Sequence, residues 1–444
     1  MNRNESGRQD ILNAFVVGFA LFASFFGAGN LIFPPLLGQL TGLRWWLGFL
    51  AFLAADALLA VVVVLAAARK GVGVEEQMGK LGKWPARLVC LSMMLCIGPL
   101  VVVPRTAATT YEMSVRPLLG DLNPWLFSFI FFAIVALLTI RPAAVVDVIG
   151  KYLTPVLLAL LAILCIKGVI TPIGRISELD AGVSPVRLGI SFGYQTMDAL
   201  MAIPVTMIIF KSLSSKGYKE PEKRFRIITY SCLVAFAGLF VVYGGLTFLG
   251  ATTSSLELGG LTGTDLLVEI TRRLLDRTGI ILLGAVVFLA CLTTAIGVTS
   301  AVADYLEELI KKRIPYSVIV LILCAAGVLV SNLGTEQIIS LAEPALEFLY
   351  PVFLTQMLLS FFEKRIGNPW VFRGAAIGAA LFSLLTVLDA QSVLSLPFLY
   401  EIPLSSLGLG WLLPAAAGAL LGALIPRRSG ISGEKTEIKN HEEI

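Results

Sequence analysis

Phe25-Phe26-Gly27-Ala28-Gly29-Asn30-Leu31-Ile32-Phe33-Pro34-Pro35 lies inside an apolar run that extends from residue 11 to 41. Two glycines and an asparagine favour an interruption of helix at this point. Hydrocarbon holds no water to pair the freed backbone groups, so an interruption persists there only where it lines a cavity enclosed by protein. It has two chemically different ends. The carbonyls closing the incoming half-helix, those of Ala23 and Phe26, suit a cation. The amides opening the outgoing half-helix, those of Ala28 and Gly29, suit an anion such as a carboxylate. A packing kink permitted by glycine is the competing reading of this stretch taken alone.

The rest of the chain sets the medium. Of 444 residues, 57% are hydrophobic and 14% charged, whereas a soluble domain carries about 25% charged residues. Apolar runs fall near 11–41, 44–68, 85–111, 124–140, 145–170, 186–211, 225–250, 279–309, 315–331, 337–362, 370–388 and 405–425. Runs of this kind are bilayer-spanning helices, because a span needs about 20 mostly apolar residues with every backbone group paired internally. None alternates in polarity as a barrel strand does. The expected fold class is therefore an all-α polytopic membrane protein with about 12 transmembrane helices. The first run is too long for a signal sequence and lacks a small-residue cleavage pattern, so it is read as a retained span.

Charge orients the chain. With charges at span ends assigned to the adjoining connector, 25 Lys and Arg accompany the termini and even-numbered connectors, against 8 in the others. The positive-inside rule then puts both termini in the cytoplasm, with residues 1–10 as an N-terminal segment and 426–444 as a polar tail. The connector from Ala251 to Thr278 carries Leu261, Leu266, Leu267, Ile270 and Leu274 at helical spacing, which predicts a helix over the outer mouth. No connector interleaves basic and aromatic residues as a nucleic-acid surface does. All six cysteines sit in apolar runs without a CxxC pair, and the one histidine, His441, lies in the tail. No phosphate-binding loop, HExxH or GxSxG occurs, which argues against an enzyme and against nucleotide-driven transport. No cofactor or obligatory protein partner is implied. Uphill movement of a solute needs an ion gradient.

Five spans after the first interruption a second appears: Phe192-Gly193-Tyr194-Gln195-Thr196-Met197-Asp198, followed by Pro204. Broken segments at matching places in two halves are a pointer to a transporter site near the midplane. Residues 11–170 and 186–362 then read as inverted five-helix repeats, with 370–425 forming helices 11 and 12. Asp198 faces the interior, since a charged Asp at a helix centre costs about 2.5–3.5 kcal/mol. It either pairs with a substrate ammonium or fixes the unwound segment. The eighth span carries Ala290-Cys291-Leu292-Thr293-Thr294. Hydroxyls on a membrane helix usually bond back to their own carbonyls. The alternative is that Thr293, Thr294 and the Ala290 carbonyl complete a cation site with Ala23 and Phe26. Five neutral oxygens suit sodium, whereas calcium sites normally include carboxylates. Arg105, within the third run, snorkels or pairs near one mouth, and Asp56, Asp147, Glu343 and Glu347 serve interhelical hydrogen bonds.

FFGAGNLIFPP (Phe25–Pro35), GPLVVVPRTAATT (Gly98–Thr110), GYQTMDAL (Gly193–Leu200) and LGWLLPAAAGALLG (Leu409–Gly422) resemble the bacterial branched-chain amino acid carrier family, the system II carriers of leucine, isoleucine and valine. The resemblance runs over nearly the whole chain. Through that family the chain also resembles the wider leucine-transporter fold, whose unwound first and sixth helices hold substrate and sodium. The resemblance implies a sodium-coupled importer in the bacterial cytoplasmic membrane, with sodium on Ala23, Phe26, Ala290, Thr293 and Thr294. It sets Gly27, Ala28, Gly29, Asn30 and Thr196 near the substrate head group. Phe26, Tyr194 and Met197 are expected to line the aliphatic pocket, with Asp198 beside it. The segment between Asn30 and Pro34 is one residue shorter than in the wider fold and lacks its arginine, so the outer gate is differently built. Two other readings stay open: a proton-coupled carrier using Asp198, and a membrane amino-acid sensor that moves nothing.

Overall fold

The computed structural model describes residues 3–71, 73–120, 122–140, 151, 154–178, 184–256, 258 and 260–426. The expected tail beyond 426, the start of the fifth span and Asp147 lie outside the described residues. Among the described residues there is no strand. Among the described residues, seven helices are long and apolar enough to cross a membrane, and five shorter apolar helices accompany them. Span 1 is a pair, α1 (Arg3–Phe25) and α2 (Ala28–Thr41). Span 2 runs through α3 (Trp45–Leu53), a π turn at Ala54–Leu58 and α4 (Leu59–Lys70). Span 3 comprises α5 (Lys83–Leu95) and α6 (Val102–Thr110), joined by a wide turn in which Gly98 leaves helical geometry and Pro99 follows. Spans 4 and 5 are α7 (Pro124–Thr139) and α8 (Thr154–Ile170).

Span 6 is again a pair, α9 (Pro185–Thr196) and α10 (Asp198–Ser215). Span 7 is α11 (Pro221–Ala251). The predicted outer helix and span 8 form one element, α12 (Gly263–Leu309), bent at Asp276, where φ is +50°. Leu266, Leu267, Ile270 and Leu274 of its first arm are buried, as their spacing predicts. Spans 9 to 12 are α13 (Tyr316–Ser331), α14 (Thr335–Ser360), α15 (Pro369–Ala390) and, after a short turn at Phe398–Glu401, α16 (Leu412–Leu424). Span 12 starts seven residues later than its apolar run, because Gly408 and Gly410 hold the preceding chain in turns.

The polarity is that of a protein dissolved in lipid. Leu137, Ile170, Leu420 and Leu424 are at least 70% exposed, while Asn30, Asp56, Arg105 and Asp198 are at most 2% exposed. Large apolar side chains face outward because lipid is as apolar as they are, and the polar groups turn inward to find partners. Backbones approach closely where glycines allow it. A Cβ on Gly189 or Gly193 of α9 would meet the backbone or Ala55 side chain of span 2, at 2.4 and 2.8 Å. Gly193 thus serves close packing and does not break span 6. On the span 1 side, a Cβ on Gly250 of α11 would lie 1.8 Å from the Pro35 carbonyl. α2 stays helical through Pro34 and Pro35, so the first interruption is confined to Phe26–Gly27.

Candidate functional site

Each break exposes the last carbonyls of an incoming half-helix, and a side chain from another span meets each set. At span 1, Gly27 is extended, with φ −117° and ψ −157°, and its N–H donates to Asn30 Oδ1 at 3.3 Å. The Thr294 hydroxyl of α12 reaches across to the carbonyls of Ala23 at 3.0 Å and Phe26 at 3.2 Å. Thr293 donates to the Ala290 carbonyl at 3.0 Å. Three neutral oxygens from two spans, those of Ala23, Phe26 and Thr294, therefore meet, while Thr293 bonds back to its own helix. At span 6 the break is Met197 itself, left-handed at φ +69°. A non-glycine residue held there costs about 1–3 kcal/mol, which a packed surround must offset. Met197 is fully buried. The Arg105 guanidinium of α6 donates to the carbonyls of Gln195 at 2.9 Å and Thr196 at 3.4 Å.

Asn30 links the two breaks. Its side-chain nitrogen lies 3.0 Å from Asp198 Oδ2, 3.3 Å from Asp56 Oδ2, and against the Tyr243 hydroxyl. The Thr196 hydroxyl lies 2.7 Å from Asp56 Oδ1 and 2.6 Å from the Gly193 carbonyl. Spans 1, 2, 6 and 7 are fastened to one another at this point. Between the breaks runs a narrow cavity walled by Gly27, Ala28, Asn30, Arg105, Asp198 and Thr294. Its apolar wall consists of Phe25, Val102 and Met201. Asp198 Oδ1 and Arg105 Nε are buried there without a protein partner. An acceptor and a donor facing one gap are chemically matched to a ligand with an ammonium and a carboxylate.

Several expectations need correction. Arg105 does not snorkel to a mouth: it is buried in mid-protein, because the kink at Gly98 redirects α6 toward the span 6 break. Asp56 makes the interhelical hydrogen bonds expected of it, to Asn30 of span 1 and Thr196 of span 6, and through them belongs to the Asn30 cluster. Tyr194 turns away from the central cavity and stacks on Tyr350, with ring centroids 4.6 Å apart. Phe26 stacks between Phe22 and Tyr243, so Phe25 takes the wall position expected of it. Met197 is consumed by the turn, and Met201, one helical turn on, lines the cavity. Gly29 packs under the Arg105 guanidinium, where a Cβ would meet Nη2 at 2.9 Å. Asp56, Arg105 and Tyr243 were the residues that sequence reasoning left out of the centre. Their one signal was polarity inside an apolar run.

A sequence profile described as a branched-chain amino acid transport protein matches residues 11–429. The branched-chain amino acid permease BraB of Bacillus subtilis is 33% identical over 441 residues, covering 96% of this chain and 98% of its own. The branched-chain amino acid transport system 2 carrier protein of Pseudomonas aeruginosa is 32% identical, covering 93% and 96%. Among solved structures, Mhp1, a nucleobase-cation-symport-1 family transporter in a closed conformation, aligns with TM-score 0.62 at 16% identity, covering 92% of each chain. A Na+-coupled sialic acid symporter in a substrate-bound outward-open state aligns with TM-score 0.60 at 15% identity, covering 93% of this chain and 90% of its own. At such identities the likeness shows the fold alone: an all-α polytopic membrane protein of the leucine-transporter fold.

Proposed function

The chain belongs to the branched-chain amino acid transport protein family, and from that premise we propose that it is a sodium-coupled symporter importing leucine, isoleucine and valine by alternating access. The observation that carries the ion assignment is the reach of Thr294 to the Ala23 and Phe26 carbonyls. Those oxygens, with Ala290 and Thr293, form a neutral set suited to a weakly held monovalent cation. Sodium there draws span 1 onto span 8 and favours the outward-open state. The substrate carboxylate then meets the Ala28 and Gly29 amides and the Arg105 side, and its ammonium meets Asp198, with Asn30 and Thr196 beside it. Phe25, Val102 and Met201 take the aliphatic side chain. The cavity as described is too narrow for a water molecule, so entry and release require its walls to part. Rocking of spans 1, 2, 6 and 7 as one body does this, with residues 11–170 and 186–362 as the inverted repeats and both termini in the cytoplasm.

Purified protein reconstituted into vesicles, given a panel of labelled amino acids with and without a sodium gradient, tests the proposal. Sodium-dependent uptake confined to the branched aliphatic amino acids is expected. Leucine uptake indifferent to sodium rejects the coupling, and absence of both uptake and counterflow leaves a sensor. A second reading draws on the convergence of Asp56 and Asp198 on one Asn30 amide: two carboxyl groups so close are a place for a carried proton. Asp198→Asn separates the two, since a proton carrier loses pH-driven accumulation while keeping exchange.

A further inference from the structure

A second cavity, of about 230 Å³, opens between α9, α14, α15 and the turns that precede α16. It is smaller than the roughly 300–1,000 Å³ of drug-sized sites and matches a metabolite. One face of α9 forms a wall, with Arg187 at the rim and Tyr194 and Gln195 at the floor. Glu343 and Glu347 stand on the facing wall of α14. Among the described residues neither glutamate forms an ion pair with Arg187 within 4.0 Å. Asp389 also lines the cavity but is committed, accepting from the Leu396 N–H at 2.7 Å and the Tyr400 hydroxyl at 2.6 Å.

A second observation points to a ligand. Ser383 is 3% exposed, lines the same cavity, and its hydroxyl has no partner. Three residues on, Thr386 makes the usual back-bond to its own helix, to the Phe382 carbonyl at 3.0 Å. A buried hydroxyl without that bond loses about 1–3 kcal/mol unless something in the cavity pairs with it. Charges of opposite sign on facing walls, with a buried donor between apolar surfaces, fit a zwitterion. We propose that this cavity is a second, outer site for an aliphatic amino acid, its carboxylate on Arg187, its ammonium on Glu343 and Glu347, and its side chain against Leu346 and Phe382. The proposal rests on the amino-acid substrate class given above. Between this cavity and the central one stands the Tyr194–Tyr350 stack, while the Gln195 carbonyl at its floor is the one that Arg105 holds. The outer site thus ends two residues before the span 6 break, at Gln195 against Met197.

Equilibrium binding of labelled leucine to the purified full-length protein in nanodiscs with sodium tests it. The wild type is expected to bind about two leucines per chain. Arg187→Gln and Ser383→Leu, one deleting a charge and one filling the cavity, should each leave about one. Asn30→Ala with Asp198→Ala, which dismantles the central site, should also leave about one, and leucinamide should fail to displace it for want of a carboxylate. A wild type that binds one leucine, unchanged by Arg187→Gln and Ser383→Leu, overturns the outer site. If that same preparation takes up leucine on a sodium gradient, the proposed function stands without the second site. Conversely, one equivalent lost in Arg187→Gln from a protein that moves no leucine rejects the transport reading and keeps the site.

Discussion

Replacing Thr294 by valine removes one hydroxyl and almost no volume. That hydroxyl lies 3.0 Å from the Ala23 carbonyl and 3.2 Å from the Phe26 carbonyl. Two effects follow and they are separable. Without ion, the two carbonyls lose their donor, at a cost of about 1–3 kcal/mol for the buried groups left unpaired. With ion, the proposed site would lose one of its five oxygens; a polar contact to a charged group is worth about 1.5–3 kcal/mol. Each 1.4 kcal/mol being tenfold, the sodium concentration for half-maximal uptake should rise roughly ten- to hundredfold. The assay is initial leucine uptake into reconstituted vesicles against external sodium, at fixed leucine, with choline keeping ionic strength constant. Thr294→Ser retains the hydroxyl and should stay within about threefold of wild type, since threefold is less than 1 kcal/mol. If Thr294→Val takes up leucine with a sodium half-saturation within that same threefold, the hydroxyl does not face the coupling ion, and the oxygen set around it has been misread.

Arg105→Lys keeps the charge but replaces a planar fork bonded to two carbonyls by a single ammonium; leucine uptake should fall at least about tenfold in folded protein, and wild-type uptake removes Arg105 from the site. Tyr218→Phe removes the hydroxyl that accepts from Asn13 at 2.8 Å and donates to Asp10 at 2.9 Å, joining span 1 to the connector after span 6; amide hydrogen exchange should rise over residues 10–17 and 213–223, and unchanged exchange shows that the junction is not a latch. Glu363, in the connector after span 10, is pushed up by partial burial, but Lys70 and Lys80 outweigh this and hold its carboxyl below the ordinary 4.5. A depressed carboxyl contributes at neutral pH and stops contributing as pH falls through its folded value. Exposed pairs are worth about 0.2–1 kcal/mol each, so the thermal midpoint should fall slightly below pH 4.5, and Glu363→Gln should flatten that part of the profile; an unaltered profile refutes the pairing.

The two breaks were not equally legible. Gly27 adopts an extended conformation at the bottom of a helix whose next turn opens with Ala28 and Gly29, so sequence and structure name the same place. In span 6 the break falls inside the expected stretch Phe192–Asp198, but on Met197 and not on its glycine. Gly189 and Gly193 lie against span 2 because two helices approach closely there, and the turn falls on Met197, a residue with no intrinsic preference for positive φ. What holds Met197 in place is tertiary: Arg105 on the carbonyls before it and Asn30 on the acid after it. No local pattern encodes contacts between residues about 90 or 168 positions apart in the chain. Asp56 illustrates the same limit, since its partners come from spans 1 and 6. The apolar periodicity, by contrast, needs no tertiary information, and the described span ends followed from it to within a few residues except at the starts of spans 1 and 12.

The contacts at the two breaks are alike in form and unlike in kind. At each, the terminal carbonyls of an incoming half-helix accept from a side chain on a different span: Thr294 for span 1, Arg105 for span 6. Asn30, meanwhile, holds spans 1, 2, 6 and 7 together with contacts that a rigid-body motion of those four would not disturb. Any such motion must therefore be resisted at Thr294 and Arg105. A hydroxyl is neutral, so the span 1 contact gains an attractive charge only when a free cation arrives and loses it when the cation leaves. The guanidinium is permanently charged and covalently attached, so the span 6 contact is independent of sodium. Coupling by an exchangeable ion can then act at span 1 alone. Parting of span 6 from span 3 must be driven by something that competes for Arg105, and a carboxylate arriving in the central cavity is the group with the charge to do so. Under the proposed function, sodium would tighten the span 1 contact and the amino acid carboxylate would loosen the span 6 contact, so each ligand would act on a different break.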